Sequence, residues 1–294
     1  MEFSFDEPAL IAANLIELVL LVVGSIVLHR WWLGAKAPAL KAMRLLPWTI
    51  TVSDFLTRAL FAVLGGLGFQ FLTIGLQRQF KDSLVSDIWL VVHNLAFQLG
   101  LIAGVLLGIA FTKTKREDPS LVDTSDALPP GETEPPHPAP LPVNAVWAGL
   151  LLFLGSLPLV ALTSLLSALV LRAAGIDTEQ QELVDLLARS DSLLLIVGMA
   201  ILAVVFAPII EEIVFRAGVF RYLRTRVPRM VAFLLSAVFF SSLHNNLAAF
   251  VPLVVFGIIL AYVYERTGRL AICMFAHAFF NLHTLVILLI TLKD

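Results

Sequence analysis

Eight apolar runs, near residues 9–29, 55–76, 88–111, 145–171, 193–220, 230–246, 248–264 and 269–292, take up most of this chain. Runs of about 20 apolar residues admit few folds, because lipid offers no partner to a backbone N–H or C=O and each segment must bond its own. The runs are continuous rather than alternating, so each is expected to be a helix. The expected fold class is all-α: a polytopic membrane protein with about eight transmembrane helices.

Composition agrees. Hydrophobic residues make up 59% of the chain and charged residues 14%, with a mean hydropathy of +0.91. A soluble domain would be closer to about 45–50% apolar and about 25% charged. The net charge of −2 implies no nucleic-acid partner. Cys273 is the only cysteine, which excludes an internal disulfide and a thiolate metal cluster and leaves a small buried hydrophobe. Glu2, Asp6 and Glu7 precede the first run where a cleavable signal would carry positive charge, so that run is read as a retained span.

The second run is the weakest. Asp54 and Arg58 crowd its start and Gly65, Gly66 and Gly68 interrupt it; such glycines suit close helix packing. Residues 112–143 change character, with prolines from Pro119 to Pro142 interleaved with Glu117, Asp118, Asp123, Asp126, Glu132 and Glu134. This is the composition of a disordered or extended linker. It divides the chain into a three-helix membrane region, 1–111, an acidic Pro-rich linker, 112–143, and a five-span region, 144–294.

Lys and Arg orient the spans. Every second connection is basic: Arg30, Lys36, Lys41 and Arg44; Lys113, Lys115 and Arg116; Arg221, Arg224, Arg226 and Arg229; Arg266 and Arg269. The opposite set includes 177–191, with Asp177, Glu179, Glu182, Asp185 and Asp191. The positive-inside rule makes the basic connections cytoplasmic and both termini external.

Three polar motifs then stand out in the last third: Glu211-Glu212-x-x-x-Arg216, Phe240-x-x-x-His244 and His277-x-x-x-Asn281. Ionisable groups within membrane segments are costly and mark functional sites by default. Measured along each helix from its basic edge, Glu211 and Glu212 lie about 14–15 Å in, His244 about 22 Å, His277 about 12 Å and Asn281 about 18 Å. The groups share one slab, from the cytoplasmic half to the middle of the bilayer.

Spacing divides their roles. Glu212 and Arg216 are four apart on one face, with the acid N-terminal, and can pair. Glu211 is rotated by about 100° and is the freer carboxylate, placed to act as a general base toward water. His277 and Asn281, again four apart, can donate to an oxyanion on one face. Taken singly, each has a plain structural reading: a buried ion pair, an interfacial histidine, a satisfied core histidine. Taken together at one depth they read as a site. His93, Asn94, Gln98, Asn14, Glu17 and His283 have no such matching partners and are read as helix–helix contacts; Phe240 is read as packing.

In order and spacing, Glu211-Glu212-Ile213-Val214-Phe215-Arg216, Phe240-Ser241-Ser242-Leu243-His244 and His277-Ala278-Phe279-Phe280-Asn281 resemble the three motifs of the CPBP intramembrane protease family, which includes the CAAX prenyl endopeptidase Rce1 and the Abi proteins. The resemblance covers about 145–292, and Ala217 stands where many members have glycine after the arginine. It implies an intramembrane endopeptidase that hydrolyses a peptide bond of a lipidated or membrane-embedded substrate, CAAX-like or bacteriocin-related. Glu211 with His244 would polarise the water, His277 and Asn281 would stabilise the oxyanion, and Glu212 and Arg216 would support them. The family's rival chemistry is metal-assisted, and Glu211, His244 and His277 would then hold Zn2+. No covalent nucleophile is proposed: Ser241 and Ser242 flank His244 without a Ser-Lys or Ser-His-Asp arrangement.

Two other classes stay open. A proton-coupled transporter also uses buried acids and imidazoles, but calls for repeat symmetry that the sequence does not display. A non-catalytic membrane scaffold would keep the motifs without turnover. The chain carries no organelle signal, and a bacterial plasma membrane with the site opening to the cytoplasm is the expected location.

Overall fold

The computed structural model describes residues 8–33, 45, 48, 50–80, 86–112, 144–176, 192–244 and 246–291. The connections rich in Lys after the first and third spans, the acidic Pro-rich segment beyond Thr112 and the acidic stretch 177–191 lie outside these residues.

Among the described residues the regular structure is helical. The helices are α1 (Pro8–Val27), α2 (Val52–Gln79), α3 (Ser86–Thr112), α4 (Ala145–Ala173), α5 (Leu193–Arg224), α6 (Arg229–Ser242), α7 (Leu247–Thr267) and α8 (Leu270–Thr291). Polar residues just before the apolar runs start them. Thr51 accepts from the Asp54 N–H, Ser192 from Leu195 and Asn246 from Ala249, each satisfying a donor that the first helical turn leaves open. Gly268, in the left-handed conformation at φ 62°, ends α7.

Seven of the helices are long and apolar enough to cross a membrane; α6, at 14 residues, is shorter. The run expected over 230–246 stops early for a local reason. Ser242 donates back to the Phe239 carbonyl at 2.8 Å, Leu243 and His244 form a turn, and Asn246 already caps the next helix. The fifth run extends to Arg224 instead of ending at 220, and it is not uniform: π-helical stretches occupy Leu202–Phe206 and Ile213–Phe220. A ruler of about 1.5 Å per residue therefore does not run unbroken along α5, nor from Arg229 to His244.

Contacts group the helices into two units that interleave along the chain. One contains α1, α4, α6, α7 and α8. In it Gly24 of α1 lies against the Leu154 carbonyl and Pro158 of α4, and Gly149 of α4 lies against Phe275 and Ile272 of α8. Gly257 lets α7 approach Ala237 of α6. Phe240, Phe256, Leu260 and Cys273 are fully buried, and the Cys273 thiol faces the Leu260 carbonyl at 3.4 Å, which is the expected role of a small core residue. Glu265 is fully buried on α7 and takes a two-pronged bond from Arg229 of α6, at 3.2 Å from Nε and 2.7 Å from Nη2. Its backbone carbonyl also accepts from Leu45.

The other unit contains α2, α3 and α5. Gly65 of α2 and Gly100 and Gly104 of α3 leave no room for a Cβ, since backbone atoms of the facing helix occupy that space; Gly68 has nothing near it. His93 of α3 bonds Thr73 at 2.8 Å and Gln77 at 2.9 Å on α2, the helix–helix contact expected of it. Asn94 instead bonds the Leu90 carbonyl of its own helix, at 2.9 Å. Lipid-type surface is plain in both units: Leu15, Leu18 and Val22 of α1 and Leu106 and Phe111 of α3 are exposed.

Candidate active site

The acid motif sits on α5, where the α-helical stretch Ala207–Glu212 passes into the π-helical stretch Ile213–Phe220. Wide turns of this kind are uncommon and concentrate at functional sites. Glu212 and Arg216 pair at 3.1 Å, and both are buried, at 0% and 1% exposure. The pairing expected from the four-residue spacing is thus present. Glu211, about 100° around the helix from Glu212, is only partly buried.

The two histidine motifs belong to the other unit, together with α6, α7 and α8. His244 lies in the turn that follows α6. Its Nδ1 is 2.9 Å from the Phe240 carbonyl, an acceptor only, so Nδ1 carries the proton of this bond. His277, at 3% exposure, is buried on α8. Asn281 follows one turn later and is partly exposed.

Phe240 does more than fill space. Its ring meets His244 edge-on at 4.7 Å between centroids and His277 edge-on at 5.7 Å. Phe256 of α7 meets the same His277 ring at 5.8 Å and stacks on Phe280 at 4.6 Å. One fully buried phenyl therefore fixes both imidazoles, and a second holds His277 from α7. The sequence offered Phe240 through its fixed place four residues before His244; Phe256 carried no signal beyond hydrophobicity.

The serines beside His244 are engaged elsewhere. Ser241 donates to the Phe250 carbonyl at 2.7 Å and Ser242 to that of Phe239. Glu17 and His283, read as contacts without matching partners, turn out to partner each other: Nε2 lies 3.0 Å from Oε1, joining α1 to α8 two residues beyond Asn281. The buried Glu265 with Arg229 was missed by sequence reading, although an acid near the end of an apolar helix is itself a signal. Among the described residues, no group of three or more His, Cys, Asp and Glu side chains is arranged to hold a metal ion.

Residues 193–283 match a family model described as type II CAAX prenyl endopeptidase Rce1-like. That segment contains Glu211, Glu212, Arg216, His244, His277 and Asn281, with the motifs in their order. The family likeness rests on these helices. The chain is also similar to a protein of Bacillus subtilis (strain 168) named "Putative membrane peptidase YdiL", 34% identical over 83 residues. The match covers 28% of this chain and 34% of that protein, so the likeness spans about a third of the relative's length. No solved structure matches the chain. Helices α1 to α4 lie outside the residues that the family model matches.

Proposed function

We propose that this protein is an intramembrane endopeptidase that cleaves a membrane-associated peptide with water activated by Glu211 and His244. The observation that carries the reading is the fully buried Glu212–Arg216 pair on an apolar helix of the matched segment, with Glu211 beside it on a more open face. A buried ion pair is weak evidence for stability, because desolvating two charges offsets much of their attraction. Its place within a membrane helix therefore speaks for function.

The chemistry needs only groups of the chain. Water attacks the scissile carbonyl carbon while Glu211, with Nε2 of His244, takes its proton. The carbonyl π pair moves onto oxygen, and N–H groups of His277 and Asn281 donate to that oxyanion. When the tetrahedral intermediate collapses, the C–N bond breaks and the proton passes to the leaving amine. Glu212 and Arg216 hold the turn that presents Glu211, and Phe240 sets the angle of both imidazoles. No step runs through a metal. The description of the matched family model supports a lipidated, CAAX-like substrate, and the basic connections support a site that opens to the cytoplasm.

The test is cleavage of lipidated and unlipidated membrane peptides by the purified full chain in proteoliposomes, comparing wild type with Glu211→Gln, His244→Ala and the double variant. Each single change is expected to slow cleavage by about 10²–10⁴-fold. The double variant should be little worse than the poorer single, since both act on one proton transfer. Undiminished cleavage by both single variants would sink the assignment. Loss of wild-type activity with a chelator, regained on adding Zn2+, would replace water activation by Glu211 and His244 alone with the metal-assisted route.

A further inference from the structure

In the unit formed by α1, α4, α6, α7 and α8, two hydroxyls reach from one helix to another, and both end on the first turns of α7. Serine and threonine in a helix commonly turn back to a carbonyl three or four residues before, as Ser156, Thr163, Ser242 and Thr284 do here. Ser167 of α4 instead donates to the Ala248 carbonyl at 3.3 Å, and Ser241 of α6, 1% exposed, donates to the Phe250 carbonyl at 2.7 Å. Pro252, buried inside α7, gives the first of these bonds its reason. In a regular helix the Ala248 carbonyl takes the N–H of the residue four places on, and proline has none. Lipid cannot replace that donor, and prolines in membrane helices are tolerated where a Ser or Thr of a neighbouring helix does. Ser167 is such a donor.

These bonds lead to His244. Its backbone N–H donates to the Ser241 carbonyl at 3.1 Å and its Nδ1 to the Phe240 carbonyl, so the last turn of α6 holds both the backbone and the ring. The Ser241 hydroxyl fastens that turn to α7 at Phe250, and the Asn246 side chain caps the Ala249 N–H between them. Ser167 then fastens the same stretch of α7 to α4 at Ala248. The ring of His244 is thus placed against α4 through a short series of hydrogen bonds. Ser167 lies outside residues 193–283, which the family model matches, whereas Ser241, His244 and Pro252 lie inside them.

We propose that Ser167 is a positioning residue for His244: by satisfying the carbonyl that Pro252 frees, it fixes the start of α7 and, through Ser241, the imidazole at the end of α6. Its effect on cleavage rests on the proposed proteolysis; its effect on the turn does not. Hydrogen exchange of the full chain in micelles reads the turn at the amides of His244 and Ala249, and peptide cleavage in proteoliposomes reads the site. Ser167→Ala is expected to speed exchange at both amides by about three- to tenfold, the worth of one hydrogen bond between helices, and to lower kcat by a similar factor with KM unchanged. Ser167→Thr, which keeps the hydroxyl, should stay near wild type. Pro252→Ala returns an N–H to the Ala248 carbonyl, so in that background Ser167→Ala should alter neither exchange nor kcat. Thr163→Val removes a hydroxyl that bonds the Leu159 and Val160 carbonyls of its own helix, and should leave the turn as it is. Unchanged exchange in Ser167→Ala overturns the proposal, as does an equal effect from Thr163→Val or an undiminished effect of Ser167→Ala beside Pro252→Ala. Faster exchange with kcat unchanged also overturns it, because the imidazole would then not depend on the turn. A wild-type chain that cleaves no peptide sinks the proteolytic reading instead, and exchange alone then decides whether Ser167 holds the turn at His244.

Discussion

Glu212 has no exposed surface and pairs with Arg216 across one helical turn, so the two side chains stand or fall together. Removing one charge leaves the other buried without its partner one turn away, which costs about 3–5 kcal/mol in comparable pairs, while removing both costs less. Glu212→Gln should therefore lower unfolding stability in detergent by about that amount, and adding Arg216→Met should restore part of it. Additive losses in the double variant would contradict the pairing. This pair was legible in the sequence because acid and base are four residues apart in one helix. Glu17 and His283 were not, because they are 266 positions apart by their numbers and only packing brings them to 3.0 Å. Asn94 shows the converse error: a polar residue in a membrane helix need not reach a neighbour when the Leu90 carbonyl of its own helix accepts its proton.

Among the elements, α2 and α3 give the sharpest contrast. Gly65, Gly100 and Gly104 interlock where each helix's backbone fills the other's missing side chain, whereas Gly68 faces open space. Gly104→Leu must force the helices apart and should lower the unfolding midpoint by the equivalent of 2 kcal/mol or more, by about the overpacking range. Gly68→Ala should instead be neutral or stabilising by roughly 0.5–1 kcal/mol, because alanine gives up less backbone freedom in a helix. Equal effects at the two positions would remove the packing explanation. The sequence indicated that glycines pack α2, but identity alone does not say which face of a helix meets a partner. Helix ends were harder. Asn246 before an apolar run was a readable cap, yet hydropathy carried the preceding run straight through His244 and gave no hint of the π-helical turns beyond Glu212.

For the whole molecule, composition separates membrane runs from linkers but is blind to which runs pack together. The acidic Pro-rich stretch divides the chain in order, while contacts place α1 with α4, α6, α7 and α8 and place α5 with α2 and α3. The first helix is joined to α8 by Glu17 and His283, and to α4 by the close approach of Gly24. If those contacts matter, the consequences of losing α1 must be local. A chain lacking residues 1–33 should show faster hydrogen exchange in α4 and α8, with α2 and α3 unchanged, when compared with the full chain in the same micelles. Glu17→Gln alone should reproduce a small part of the effect in α8, since interhelical polar contacts in membranes average about 0.6 kcal/mol. Because His277 and Asn281 stand on α8 just before His283, a loosened α8 should raise KM or lower kcat for the proposed peptide cleavage. Exchange that rises first in α2 and α3 would mean that α1 belongs with its neighbours in sequence, and would undo the division into interleaved units.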